Sequence, residues 1–96
     1  MKLKISPRVG EKLAQKHGVS AGEALECFAN RCGNALKDTR AEHKTNPPSL
    51  WLVAETDRGR TLKVVFMLMP DGEIEIKTAY PANPEEIRIY RKYGAK

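Results

Sequence analysis

Residues 50–80, LWLVAETDRGRTLKVVFMLMPDGEIEIKTAY, carry the strongest indication of the fold. This stretch contains three runs rich in apolar and β-branched residues, separated by Asp57-Arg58-Gly59 and by Pro70-Asp71-Gly72. Asp and Gly between such runs are typical of tight hairpin turns. The stretch therefore predicts three consecutive antiparallel strands, at 50–56, 60–69 and 73–80.

Helix signals precede this meander. Ser6-Pro7 has the N-cap and first-turn residues of a helix start, and Gly18 is the expected end of that helix. The sequence Ser20-Ala21-Gly22-Glu23 is a capping box that begins a second helix, which is expected to end at Gly33. Because only a short turn separates the two helices, the pattern predicts an N-terminal αα-hairpin.

The two ends of the chain complete the predicted architecture. Leu3 and Ile5 alternate with polar residues, as in a short edge strand. Asn83-Pro84-Glu85-Glu86 predicts a last helix that ends at Gly94. We therefore expect a single α+β domain over residues 1–96, in which the αα-hairpin packs on a three- to four-stranded antiparallel sheet and a C-terminal helix follows.

The composition indicates a small, basic protein. The 96 residues carry a net charge of +5 and are 41% hydrophobic. An excess of positive charge favours polyanionic partners, whose phosphates it neutralises. A charged surface that only keeps the protein soluble would also explain the excess. The N-terminus lacks the apolar core of a signal peptide, and no apolar run reaches 18 residues. The sequence therefore predicts a cytoplasmic protein with no membrane partner.

The cysteines and histidines do not predict a metal site. Cys27 and Cys32 are five residues apart on the second predicted helix, a spacing that turns them away from each other. Neither His17 nor His43 adds a recognisable zinc-finger spacing. We therefore expect free thiols, a reducing compartment, and no metal or other cofactor.

Strand parity predicts which face of the sheet remains open. The αα-hairpin is expected to cover the fully apolar face, which leaves Lys63, Lys77 and Ala79 on the other face and Tyr80 on the face of Ile76. The two lysines would then border a shallow apolar groove suited to an RNA strand. The alternative is a solvated face that the last helix partly covers. Further cations are predicted to bind RNA around the groove: Arg58, Arg40, Lys44, Arg88 and Arg91.

Three short segments, spread over nearly the whole chain, carry a resemblance to a known family. Lys16-His17-Gly18-Val19-Ser20 looks like the K-H-G-V-S turn of the BrnT family of toxins. Arg58-Gly59-Arg60 and the apolar strand after it are similar to the R-G-R hairpin turn of that family. Ile76-Lys77-Thr78-Ala79-Tyr80, followed by Glu86 and Tyr90, resembles its I-I-S-A-R strand end and its E-x-x-x-Y helix.

The resemblance implies a RelE-like fold in the RelE/ParE superfamily. It also implies a metal-independent endoribonuclease toxin of a type II toxin–antitoxin system, which cleaves RNA by attack of the 2′-hydroxyl and is neutralised by a small antitoxin protein. The strand-end arginine of the family is replaced by Tyr80 here. A non-catalytic RNA- or protein-binding relative of the same fold is therefore the alternative.

Metal-free RNA cleavage needs a base for the 2′-hydroxyl, a cation for the crowded phosphorane and an acid for the departing 5′ oxygen. The candidate cations are Arg60, Lys63 and Lys77, and arginine is the stronger phosphate ligand because it binds in a bidentate manner.

The candidates for the base are of several residue types. His43 is the first, because an imidazole exchanges a proton near neutral pH, and Glu55 and Tyr80 are further candidates. His17, at the end of a predicted helix, is expected to pack and to interact with the helix dipole rather than to react.

Overall fold

The computed structural model describes residues 3–38 and 48–94. Arg40, His43 and Lys44, three of the predicted site residues, lie outside these ranges. The elements in chain order are β1 (Leu3–Lys4), α1 (Pro7–Lys12, continued by a π-helical turn, Leu13–His17), α2 (Ala21–Ala29), β2 (Leu36–Lys37), β3 (Ser49–Glu55), β4 (Thr61–Leu68), β5 (Ile74–Pro81) and α3 (Pro84–Tyr93).

The strands form one five-stranded mixed sheet in the order β1-β5-β4-β3-β2. The prediction of three to four antiparallel strands is wrong in number and in direction, because β1 pairs in parallel with the start of β5. The chain between β1 and β5, which contains the first two helices and strands β2 to β4, provides the long connection that a parallel pair requires. At the other edge, β2 adds a short antiparallel strand to β3.

The central meander is confirmed to within one residue at each strand end. Gly59 and Gly72 have φ values of +84° and +87°, a conformation that favours glycine and that both hairpin turns use. Residues 49–55 of β3 pair in register with residues 61–67 of β4. The turn chemistry of the sequence was therefore sufficient to place these strands.

A β-bulge changes the predicted faces of β5. Val65 pairs with Thr78, whereas the next residue, Phe66, pairs with Ile76, so that β5 contains one extra residue, Lys77. Residues that face each other in a ladder share a face of the sheet. Tyr80, the partner of Lys63, therefore lies on the face of Lys63, and the prediction that placed it on the face of Ile76 is wrong.

The core lies between one face of the sheet and the first two helices. The π turn of α1 packs against β5, while α2 packs against β3 and β4, so the two helices of the predicted hairpin cover different strands. Phe28 meets Phe66 edge to face at 5.0 Å between ring centroids. Ala79, predicted on the open face, is completely buried in this core. The bulge is the reason for the difference.

Helix α2 ends earlier than predicted, at Ala29 with Asn30 as its cap, and not at Gly33. The Asn30 side chain donates a hydrogen bond to the carbonyl of Glu55, which ties the helix end to β3. Cys32 therefore lies beyond the helix and is exposed, whereas Cys27 is buried, and both thiols are free.

Helix α3 covers part of the opposite face of the sheet. Asn83 caps it through a capping box with Glu86, as predicted. Its buried Tyr90 lies 6.0 Å from the ring of Trp51 on β3. The prediction of an open apolar groove on this face is therefore wrong over β3 and β4. The alternative prediction, that the last helix partly covers the face, is the one observed.

None of the helices in residues 3–38 and 48–94 has the length and apolar character that a membrane crossing requires.

Candidate functional site

The C-terminal half of β5 forms a corner of the molecule. Strand β1 pairs only with Ile74 and Glu75, and the π turn of α1 packs beside the later residues of β5. The ring of His17, at the end of this turn, lies against the ring of Tyr80 at 5.5 Å between centroids. We call this place the His17–Tyr80 corner, made of His17, Arg60, Lys63, Tyr80 and Glu86.

The end of α1 holds His17 in place. Gly18 adopts φ +61°, the left-handed conformation that stops a helix, and its N–H bonds to the carbonyls of Leu13 and Ala14. The neighbouring Leu13 and Val19 are completely buried. His17 is thus fixed between two buried anchors and is itself only partly buried.

Arg60 ties the first hairpin turn to the end of α1. Its guanidinium donates hydrogen bonds to the carbonyl oxygens of Gly18, at 2.8 Å, and of His17, at 3.4 Å. These carbonyls are the negative end of a helix, which a cation stabilises. Arg60 also forms an ion pair with Glu23 at 3.3 Å, and its side chain retains 38% exposure. It therefore positions the His17 backbone and still presents charge at the surface.

Glu23, at the start of α2, is charged as well as paired. Its carboxylate accepts a hydrogen bond from the backbone N–H of Ser20 at 3.0 Å, and this bond is the main reason that its pKa is lowered. Partial burial opposes the shift, and Arg60 adds to it. The arginine therefore has an ionised partner at neutral pH.

Lys63 is buried beneath α3. Its ammonium forms an ion pair with Glu86 at 2.9 Å, with side-chain exposures of 8% and 16%. The ammonium also lies over the rings of Trp51, at 4.6 Å, and of Tyr80, at 5.7 Å. Lys63 is thus enclosed by side chains, and the prediction that it borders an open groove is wrong.

Glu86 connects the buried lysine to the corner. The hydroxyl of Tyr80 donates a hydrogen bond to the same carboxylate oxygen that Lys63 binds, at 3.2 Å. Burial acts to raise the pKa of Glu86, but the Lys63 and Asn83 hydrogen bonds and the charge of Lys63 outweigh it, so the pKa is lowered. Glu86 is consequently a charged acceptor that orients the phenol of Tyr80.

The other predicted cations do not join the corner. Lys77, at the bulge, pairs with Glu75 at 3.2 Å on an exposed surface. Arg88 pairs with Glu85, and Arg58 and Arg91 are exposed. Of the residues predicted to be catalytic, the structure brings together Arg60, Lys63 and Tyr80; it leaves Lys77 apart, and His43 lies outside the described residues.

Two residues of the corner were not among the predicted catalytic residues, His17 and Glu86. His17 was interpreted as a packing residue because it ends a helix. Both nevertheless belong to segments that carry the family resemblance, and that was the signal available for them. Within the described parts of the chain, no three His, Cys, Asp or Glu side chains are grouped so as to hold a metal ion.

Comparison with known proteins supports the fold. No protein-family model matches the chain, and no curated protein matches it. The crystal structure of the Brucella abortus ribonuclease toxin BrnT, at 1.1 Å resolution, superimposes with a TM-score of 0.63 over 86% of this chain and 97% of that one. The sequences are 18% identical. The chain therefore has a BrnT-like fold, and its described residues form three helices and a five-stranded mixed sheet.

Proposed function

We propose that this protein is a BrnT-like endoribonuclease toxin of a type II toxin–antitoxin system. In this proposal it cleaves RNA in the cytoplasm without a metal ion, at the His17–Tyr80 corner, and a small antitoxin protein neutralises it. Membership of the RelE/ParE superfamily is part of the same proposal.

One observation carries the proposal: the three segments behind the family resemblance meet at one place. The K-H-G-V-S turn provides His17, the R-G-R turn provides Arg60, and the end of β5 provides Tyr80, with Arg60 bonded to the His17 carbonyl and Tyr80 against its ring. Some of these segments are far apart in the sequence: His17 and Arg60 are separated by 43 residues. A purely structural role does not require a partly exposed histidine at their meeting point.

The arrangement suits proton transfer beside a phosphate. In the proposed reaction His17 takes the proton of the 2′-hydroxyl and the 2′ oxygen bonds to phosphorus. The bond from phosphorus to the 5′ oxygen breaks as that oxygen takes up a proton from water. Arg60 supplies positive charge to the phosphorane and fixes the His17 backbone. Tyr80, oriented by Glu86, holds the imidazole ring. The products are a 2′,3′-cyclic phosphate and a 5′-hydroxyl end.

The test is cleavage of an end-labelled single-stranded RNA in EDTA, with mass spectrometry of the product ends. We expect cyclic phosphate ends, and a rate at least about 100-fold lower in Tyr80→Phe/Arg60→Gln than in the wild type. Lys77→Gln is the matched control, since Lys77 lies apart from the corner. Equal losses in both variants, or cleavage that requires a divalent ion, would contradict the proposal.

A non-catalytic RNA-binding relative is the second candidate. It is favoured by Tyr80, which stands where the resembling family has an arginine, and by the three residues, His17, Gly18 and Glu23, whose oxygens already accept hydrogen bonds from Arg60. Salt-sensitive RNA binding with no cleavage product under any condition of the same assay would support this candidate.

A further inference from the structure

Three cations form a row along one flank of α1. Arg8, Lys12 and Lys16 are all exposed, and none of them forms an ion pair or side-chain hydrogen bond within residues 3–38 and 48–94. We call them the α1 row. Its last member, Lys16, is the residue before His17 in the chain, so the backbone of the row leads into the His17–Tyr80 corner.

The π turn is what aligns the row. In an α-helix each residue rotates by about 100°, so Lys12 would be offset from Arg8 by about 40° and Lys16 by about 80°. In a π turn, which closes hydrogen bonds five residues apart, the rotation falls to roughly 82° per residue. Because Leu13–His17 is π-helical, Lys16 returns to within about 10° of the direction of Arg8.

The α1 row differs from the five cations of residues 3–38 and 48–94 that have carboxylate partners. The ion pairs of the described residues join lysine or arginine to glutamate: Lys4–Glu73, Arg60–Glu23, Lys63–Glu86, Lys77–Glu75 and Arg88–Glu85. The ion pairs of the described residues do not include Glu11, the acidic residue of α1, so it does not neutralise the row through a close contact. The charge of the row is therefore available to an external anion.

We propose that the α1 row binds successive phosphates of a single-stranded RNA and guides the strand to the His17–Tyr80 corner. This inference rests on the proposed function. Neighbouring members are separated by about one helical turn, roughly 5 to 6 Å along the axis, close to the separation of neighbouring phosphates in an extended strand. Flexible exposed side chains of this kind recognise the backbone charge and not the bases.

The test measures binding separately from cleavage. Fluorescence anisotropy is recorded with a labelled single-stranded RNA whose riboses are 2′-O-methylated, because such an RNA cannot be cut by 2′-hydroxyl attack. The variant is Lys12→Gln/Lys16→Gln. The matched control, Lys37→Gln/Lys92→Gln, removes the same charge from exposed positions on β2 and at the end of α3, away from α1.

We expect the α1 double variant to weaken binding about 25-fold at 0.1 M salt and to flatten the slope of log K against log salt by about 1.4, since two phosphate contacts are lost. The control is expected to change affinity by less than about threefold. Similar losses on single-stranded DNA of the same sequence would support backbone recognition, since both strands carry the same phosphates.

Equal effects of the two double variants would overturn the proposed role of the α1 row, because net charge alone would then explain binding. Absence of RNA binding by the wild type would overturn it too, as would a loss seen on DNA but not on RNA. If the wild type binds RNA through the α1 row but never cuts unmodified RNA, the row stands and the proposed nuclease activity fails. Circular dichroism of each variant confirms that it is folded.

Discussion

Replacing Lys63 by methionine is the most informative test of how α3 is held on the sheet. Methionine keeps the unbranched shape of the lysine stem but removes the ammonium group. Glu86, whose side chain is 16% exposed, then lacks its partner at 2.9 Å. It also removes the cation from the faces of Trp51 and Tyr80. Removing one member of a buried ion pair costs several kcal/mol because the remaining charge is left desolvated. We expect a loss of about 3 kcal/mol in the free energy of unfolding.

The measurement is urea unfolding followed by far-ultraviolet circular dichroism, since the fluorescence of Trp51 depends on Lys63 itself. In a double-mutant cycle with Glu86→Gln, the two losses are expected to be non-additive by about 2 kcal/mol. Lys77→Met is the matched control. It breaks the exposed pair with Glu75, where we expect less than about 0.5 kcal/mol. A Lys63→Met loss no greater than that of the control would refute this account of α3.

Three further predictions concern acid stability, the end of α1 and the thiols. Because the pKa of Glu86 is lowered, its charged form stabilises the fold above its ordinary pKa of 4.5, and this contribution is lost as the pH falls through the lower folded pKa. The stability difference between wild type and Glu86→Gln in urea titrations should therefore be largest at neutral pH and shrink on acidification below pH 4.5. Gly18→Ala should cost about 1 kcal/mol in thermal or urea unfolding, because φ is +61° while no atom lies within 4 Å of the added carbon. Burial raises the pKa of Cys27 to about 11, so native protein should show one fast-reacting thiol, Cys32, with a disulfide reagent, and two in urea.

Each of these has a clear contradicting result. A stability difference for Glu86→Gln that grows on acidification would mean that the carboxylate is not stabilised in its charged form. An unchanged stability in Gly18→Ala would mean that the end of α1 is not held in the left-handed conformation. Two fast thiols in the native protein would mean that Cys27 is not buried.

Local sequence signals predicted the meander, the helix starts and the capping of α3. Gly59 and Gly72 decided the hairpin turns, and Asn83 with Glu86 decided the start of α3. These features depend on a few neighbouring residues, which is why reading the sequence alone places them.

The faces of β5 and the cover of the sheet were not predictable in the same way. Parity along β5 assumes an uninterrupted ladder, and one extra residue at Lys77 moves Tyr80 to the face of Lys63. A lysine within an apolar strand is most simply interpreted as exposed. Lys63 is buried instead because Glu86, twenty-three residues later, neutralises it. The candidate site depends on both of these long-range facts.

His17 illustrates the same limit at the candidate site. Its position before Gly18 predicts a helix end, and that prediction is confirmed. Its contact with Tyr80 and the Arg60 bond to its carbonyl follow from how α1 packs beside β5, which the local pattern does not contain. The motif resemblance pointed to these segments, and the fold shows that they meet.

The most direct test of the central claim is the single-turnover cleavage rate of His17→Gln on an end-labelled RNA at pH 7 in EDTA, beside the wild type and Lys37→Gln. Glutamine keeps a polar side chain but cannot exchange a proton. We expect a rate at least about 100-fold below wild type for His17→Gln, with an unchanged circular dichroism spectrum and an unaffected control. Cleavage by His17→Gln within about threefold of the wild type rate would contradict it.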